Sequence, residues 1–291
     1  MKQGNLKAQL EIATEWAIAL RYEDIPQRVL AVARLQIANI LAAILAGSQS
    51  RAGVRTKASF ERTLALGPCT LIPHGDRCPI FDAVYLHAVY VNALELDDYL
   101  YRGHLGQAVI PVPLALAEAF NLDGKAILTA QVAANELAGR LGAAITSELL
   151  HGHQRSYLQR FAAAICAAKL PSLNQECFAE ALAIAMTQPK YPLHVGEFSS
   201  DTKVLSAASS VVEGTRSAFL ASEGMTGTRN ILEHQGGFYR QFTLHRNTPQ
   251  PFLQLGEAWV TETLAFKRYS ACAYAQGAID CIRVLFHEKH L

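Results

Sequence analysis

Asn92-Ala93-Leu94-Glu95-Leu96-Asp97-Asp98-Tyr99 opens the stretch on which the fold assignment of this chain depends. Arg102 and His104 follow, so residues 95–104 hold three carboxylates, two phenols, a guanidinium and an imidazole. An alanine-rich apolar run then begins at Ile110-Pro111-Val112-Pro113. Proline fits the first turn of a helix because the missing N–H costs little there. The pattern predicts a polar loop, typical of an active site, between two helices.

Outward from this loop, apolar residues recur every three or four positions, which predicts helices along most of the chain. Asp123 and Asn174 suit N-cap positions, and Gly224 suits the residue after a helix end. Residues 27–46 are apolar on nearly every side toward their end, which indicates burial among other helices. The predicted helices are 6–20, 27–46, 81–93, 113–120, 124–144, 157–169, 175–186, 202–222 and 275–286.

Strand patterns are few, at 70–73 and 242–245, and both are short and flanked by turn residues. No internal repeat, low-complexity run or linker interrupts the helical pattern. We therefore expect an all-α bundle that forms one domain over residues 1–291.

Composition excludes several functional classes. The chain has 291 residues, 51% of them hydrophobic and 18% charged, and can bury a large core. A formal net charge of +1 without a basic stripe gives no reason to expect nucleic acid. The first residues do not follow the pattern of a secretory signal, so we expect none. The longest apolar stretch, 37–46, is shorter than the roughly 20 residues that span a bilayer. We expect no membrane partner and a cytoplasmic location.

The six cysteines are not arranged for metal binding. No two of them form a Cys-x-x-Cys pair, and an intracellular chain rarely keeps disulfides. We expect reduced, structural cysteines and no metal site. The six are Cys69, Cys78, Cys166, Cys177, Cys272 and Cys281.

The polar loop resembles that of the MmgE/PrpD family, which includes 2-methylcitrate dehydratase, cis-aconitate decarboxylase and iminodisuccinate epimerase. Its members read roughly Asn-x-Ala-Leu-Asp-Phe-Asp-Asp-Thr, then His-Pro-Gly, then Val-Ile-Pro-Ala-Ala-Leu-Ala-Leu-Ala-Glu. The similarity recurs in order along nearly the whole chain, which makes coincidence a poor explanation. The further similar segments are 22–26, 45–48, 123–128, 135–142, 152–170, 200–203, 223–227, 231–238 and 266–269.

The resemblance implies an MmgE/PrpD-like helical bundle and a cofactor-free lyase or dehydratase. Such an enzyme removes a proton next to a carboxylate or carbonyl of a small polycarboxylate, which requires cations for the carboxylates, a base and an acid. By the resemblance, the catalytic residues are Glu95, Asp98, Tyr99, His104 and His153, and the substrate-binding residues are Lys203, Lys267 and Arg268.

The chemistry of these residues agrees with the implied roles. Lys203 lies at a predicted helix start, where a cation opposes the helix dipole unless an anion binds there. Adjacent carboxylates in a cleft have pKa values that are pushed apart, which suits one as acid and one as base. An imidazole with an ordinary pKa of about 6.5 exchanges protons near neutral pH, so His104 is expected to work with Asp98 as its partner. Structural roles remain the alternative for each isolated residue.

Departures from the family pattern leave the reaction open. Tyr99 stands where the family usually has Thr, and one residue fewer separates Asp98 from His104. After Lys203 the family's Leu-His-x-Gly is replaced by residues 204–207, Val-Leu-Ser-Ala, so one imidazole is absent. Dehydration, epimerisation or other isomerisation, decarboxylation and cyclisation all remain compatible with the same proton-transfer site.

Family members are usually longer, because an α+β lid domain follows their Phe-Lys-x-Tyr segment. This sequence ends at Leu291, so we expect a helical domain without the lid. The expected partners are a small carboxylate substrate and either a second copy, in a homodimer, or a lid-like subunit. A noncatalytic binding or partner-stabilising subunit is the alternative outside enzymes.

Overall fold

The computed structural model describes residues 7–145, 156–190, 193–243 and 249–289, and these are mainly helical. Three 3₁₀ turns, at Tyr22–Asp24, Val260–Thr263 and Ala273–Ala275, connect longer elements. The helices are α1 (Gln9–Ala19), α2 (Gln27–Ser48), α3 (Arg51–Phe60), α4 (Ile80–Asn92), α5 (Gly106–Val109), α6 (Pro111–Phe120), α7 (Gly124–Ala144), α8 (Ser156–Lys169), α9 (Gln175–Thr187), α10 (His194–Ser199), α11 (Lys203–Ser222), α12 (Phe238–Phe242) and α13 (Gln276–Lys289).

The predicted all-α fold is confirmed, and the caps explain several helix ends. Asp123 accepts a hydrogen bond from the Ala126 N–H at 2.9 Å, and α7 begins at the next residue, as predicted. Asn174 accepts a hydrogen bond from the Cys177 N–H at 2.8 Å and caps α9 in the same way. Gly224 follows α11 with φ +86°, a conformation that glycine adopts without steric cost.

The only strands in the described ranges form one antiparallel hairpin, β1 (Cys69–Leu71) with β2 (Asp76–Cys78). It overlaps the predicted strand 70–73. The second predicted strand, 242–245, is wrong at its start, because Phe242 is the last residue of α12. Its residues 244 and 245 lie outside the described ranges.

The buried apolar residues form a continuous core with α11 at its centre, packed against α8, α4 and α9. The approach of α11 to α8 depends on Gly214. A Cβ placed there would lie 2.1 Å from the Arg160 carbonyl oxygen, so any larger residue would push the two helices apart. Close packing of this kind makes core volume changes costly.

Helix α2 begins where the predicted helix 27–46 does and ends two residues later, at Ser48. By length and composition alone it could cross a membrane. The same criteria are met by core helices, and α2 packs on α4 and α7 through a face that carries the fully buried, hydrogen-bonded Gln36. The structure thus shows one face of α2 packed on protein. The predicted burial of its end among other helices is only partly right, because Leu35 and Leu45 on the other face are 54% and 50% exposed.

Two arrangements bring the polar loop together with distant parts of the chain. Helices α4 and α11 run antiparallel, since Phe81 and Phe219 pack at one end with ring centroids 5.5 Å apart, and Glu95 pairs with Lys203 at the other. Tyr99 and Ala265 exchange backbone hydrogen bonds of 3.0 Å in both directions. This bridge fixes the segment that carries Lys267 against the loop.

Candidate active site

The loop after α4 holds a strained residue in a fixed position. Glu95 has φ +57°, in the left-handed region, which costs a non-glycine residue on the order of 1–3 kcal/mol. The flanking residues are held by Ser270, whose Oγ donates to the Leu94 carbonyl at 2.5 Å, and by Asn39, whose Nδ2 donates to the Leu96 carbonyl at 3.2 Å. These bonds orient the Glu95 carboxylate, and strain of this kind concentrates at functional sites.

A chain of ion pairs runs through the loop. The Lys267 ammonium lies 2.8 Å from Asp97 Oδ1 and 3.1 Å from Glu95 Oε2. The other oxygen of Glu95 pairs with Lys203. The side chains of Lys267 and Asp97 are 0% and 1% exposed, whereas those of Lys203 and Glu95 are 24% and 22% exposed. The inner pair is therefore sealed and the outer pair meets solvent.

His104 joins this chain through one ring nitrogen. Its Nδ1 lies 2.7 Å from Asp97 Oδ2, and Gln107 Nε2 donates to the same oxygen at 2.8 Å. The two oxygens of Asp97 are thus shared among Lys267, His104 and Gln107. The bond at Nδ1 leaves Nε2 of the imidazole, on a side chain that is 19% exposed, as the nitrogen available to a ligand.

These contacts decide the protonation states. Burial acts to raise the pKa of Asp97, but His104 and Lys267 outweigh it and hold that pKa well below its ordinary value. Burial acts to lower the pKa of His104, and the neighbouring Asp97 carboxylate outweighs it, so the pKa is raised. The pKa of Lys267 is raised for the same reason, by Asp97 and Glu95. The imidazole is therefore biased toward its protonated, proton-donating form.

Asp98 requires a correction, since it is not the partner of His104. Gln36 Nε2 donates to its Oδ2 at 2.5 Å, and the Gly106 N–H donates to its Oδ1 at 3.0 Å. Burial raises its pKa to about 6. Consecutive side chains of an extended segment point to opposite sides, so Asp97 faces His104 while Asp98 faces α2. Alternation along the loop predicts that the two aspartates face different surroundings, but it does not select which of them faces His104.

The structure brings Glu95, His104, Lys203 and Lys267 together, and adds Asp97 and Gln107, which the sequence reasoning missed. Arg268 is not brought into this group. It pairs with Asp280 of α13 at 3.1 Å, and its side chain is 73% exposed.

Two other predicted residues stand apart from the ion pairs. Tyr99 contributes its backbone bridge to Ala265, and its side chain is half-buried. His153 lies outside the described residues.

The part of the chain that the structure describes contains no cluster of metal-binding side chains and no disulfide bond. No three His, Cys, Asp or Glu side chains in it gather closely enough to hold a metal ion. All six cysteines are unpaired, and Cys69, Cys78 and Cys166 are fully buried.

Comparison with known proteins gives a consistent result. A family model described as the MmgE/PrpD N-terminal domain matches residues 11–250. Cis-aconitate decarboxylase of Aspergillus terreus is 28% identical over 290 residues, covering 93% of this chain and 58% of the relative. The cis-aconitate decarboxylase-like protein oryM of Aspergillus oryzae is 26% identical, with 97% and 62% covered. Human cis-aconitate decarboxylase is 27% identical, with 74% and 46% covered. The chain thus spans less than two thirds of the length of these relatives.

Proposed function

The chain belongs to the MmgE/PrpD family, and on that premise we propose that it carries the acid–base site of a cofactor-independent lyase for small polycarboxylates. The observation that carries the proposal is the buried chain from Lys267 through Asp97 to His104. It holds an imidazole with a raised pKa, and the same chain continues from Lys267 through Glu95 to a solvent-reachable lysine, Lys203. A proton donor next to a cation is what a reacting carboxylic acid requires.

In this proposal His104 transfers the proton and Lys203 binds a substrate carboxylate. Asp97 fixes the imidazole through Nδ1, so the exchangeable proton resides on Nε2. Lys267 is a positioning residue, since its fully buried ammonium is occupied by Asp97 and Glu95. Glu95 holds Lys203 in place through its second oxygen.

Decarboxylation is the first reaction to test, because the relatives from A. terreus and human are named cis-aconitate decarboxylases. In that reaction a carbon–carbon bond breaks, carbon dioxide leaves, and the electron pair left on carbon takes a proton from the protein. A protonated His104 supplies that proton. Dehydration, epimerisation and cyclisation use the same proton-transfer step, and a noncatalytic subunit is the alternative outside enzymes.

Deuterium incorporation tests this proposal directly. Purified protein is incubated with a panel of di- and tricarboxylates in deuterium oxide, and proton NMR follows the loss of signal next to each carboxylate. We expect incorporation by the wild type and a loss of about a hundredfold or more in His104→Gln, the usual scale for general acid–base catalysis. His287→Gln, on the exposed face of α13, is the matched control and should behave as the wild type.

The two negative outcomes separate cleanly. Incorporation that survives at the wild-type rate in His104→Gln would place the proton-transfer group elsewhere. Absence of incorporation by the wild type with every acid, alone or with an α+β partner protein, would favour the noncatalytic subunit.

A further inference from the structure

Several buried polar atoms have no hydrogen-bond partner within the described ranges, and four of them belong to residues that adjoin the polar loop or bond to it. Two belong to Asn92, Nδ2 and Oδ1, and the others are Gln107 Oε1 and Gln159 Oε1. Each glutamine uses its amide nitrogen, Gln107 toward Asp97 and Gln159 toward the His104 carbonyl at 3.0 Å. Asn92 differs, because neither end of its carboxamide is satisfied although the residue is only 2% exposed.

The position of Asn92 ties this unsatisfied carboxamide to the site. Asn92 is the last residue of α4, and its carbonyl accepts a hydrogen bond from the Glu95 N–H at 3.1 Å. It lies one helical turn before the carboxylate that pairs with Lys203, where α4 packs on the start of α11. Buried carboxamides are nearly always hydrogen-bonded, so an unsatisfied one beside a candidate active site indicates a group that a ligand completes.

The unsatisfied atoms also define the chemistry of that ligand. Asn92 Nδ2 is a donor and needs an acceptor, which a carboxylate provides. Asn92 Oδ1 and the two glutamine oxygens are acceptors and need a donor, which an ionised carboxylate lacks. A hydroxyl group adjacent to a carboxylate supplies both.

On the proposed function as its premise, we propose that Asn92 is a specificity-determining residue that binds the hydroxyl and neighbouring carboxylate of a small hydroxy acid. Because Asn92 is only 2% exposed, the acid enters after the loop that follows α4 has opened. Its carboxylate then accepts from Nδ2, and its hydroxyl donates to Oδ1. Lys203 then exchanges Glu95 for a second carboxylate of the same acid. Sites built to hydrogen-bond a substrate hydroxyl discriminate strongly against analogues that lack it, because their own polar groups are otherwise left unpaired.

Matched pairs of acids test the proposal by isothermal titration calorimetry. Malate is compared with succinate, and citrate with propane-1,2,3-tricarboxylate, since each pair differs in one hydroxyl. The wild type should bind the hydroxy acid about tenfold or more tightly, and Asn92→Leu should abolish that preference. Asn230→Leu, an exposed asparagine after α11, is the control and should keep it.

Thermal unfolding without ligand separates a ligand-binding role from a structural one. The Asn92 side chain makes no hydrogen bond within the described residues, so the substitution Asn92→Leu breaks none. This variant should therefore unfold at the same temperature as the wild type or at a higher one. A clearly lower unfolding temperature in Asn92→Leu, which keeps the side-chain volume, would show a structural partner and overturn the proposal.

The binding results separate this proposal from the function on which it rests. A wild type that binds the acids of each pair equally, or an Asn92→Leu variant that keeps the preference, overturns the role of Asn92 and leaves the proposed function standing. A wild type that binds none of the four acids and incorporates no deuterium removes both.

Discussion

Replacing Lys267 by Met should destabilise the fold, although a lysine assigned to substrate binding would be expected to tolerate the change. The substitution keeps most of the side-chain volume and removes a fully buried ammonium that contacts Asp97 at 2.8 Å and Glu95 at 3.1 Å. Removing one member of a buried ion pair typically costs about 3–5 kcal/mol, because the remaining charge loses its counter-ion. In the variant Asp97 still pairs with His104, and Glu95 still pairs with Lys203. We therefore expect a loss of unfolding free energy at the lower end of this range, about 3 kcal/mol.

Urea denaturation followed by circular dichroism measures this loss against a neighbouring control. Arg268→Met removes a cation whose side chain is 73% exposed, and should cost less than about 1 kcal/mol. Adding Asp97→Asn to Lys267→Met should cost less than the sum of the two single changes, because the double variant leaves no unpaired inner charge. A loss in Lys267→Met no larger than that of Arg268→Met would refute the buried ion pair.

Three further predictions concern titration, binding and assembly. Burial raises the pKa of Asp98 from 3.8 to about 6, so its stabilising contribution is complete below its unfolded pKa and is lost as the pH rises through 6. At about 1.4 kcal/mol per pKa unit the full contribution is about 3 kcal/mol, and roughly 0.6 kcal/mol of it is already lost at pH 4. The wild type should therefore lose about 2.4 kcal/mol of unfolding free energy relative to Asp98→Asn between pH 4 and pH 7, and parallel pH profiles would contradict this. Lys203→Met should weaken binding of tricarboxylates about tenfold or more, and unchanged affinity by calorimetry would remove Lys203 from the binding site. Because α13 leaves Ile282 and Phe286 52% and 54% exposed, the protein at micromolar concentration should sediment as a dimer or larger complex, and a stable monomer would count against this.

The helices were predictable where an apolar face recurs and a cap marks the end. Helix α7 has the predicted bounds because Asp123 caps it and one face enters the core. Helix α3 was missed for the opposite reason. Gly53 is its only fully buried residue, so no apolar stripe indicates it, and the signal that remains is the N-cap Ser50, which accepts from the Gly53 N–H at 3.0 Å.

The sequence could predict which residues belong to the site, but not which of their side chains contact one another. The acidic loop and both lysines carry a local or family signal, but 170 positions separate Lys267 from Asp97. Their contact depends on the antiparallel backbone bridge between Tyr99 and Ala265, and no periodicity within the loop predicts that bridge. The choice between Asp97 and Asp98 likewise depends on the Gln36 carboxamide of α2, which Gln131 and Asn135 orient by donating to its oxygen at 2.7 Å.

Exposure divides the charged residues of the site into two groups with different consequences. The Lys267–Asp97 pair is sealed, so a ligand could reach it only after the loop opened, and its role is to set the protonation and position of His104. The Lys203–Glu95 pair is about one quarter exposed on each side, so an incoming carboxylate can compete for Lys203 without unfolding anything. Because the ligand carboxylate replaces Glu95, the net binding free energy at Lys203 is the difference between the free energies of the new ion pair and the old one. This exchange makes tight binding of a simple monocarboxylate unfavourable, and it favours acids that add contacts beyond the first carboxylate.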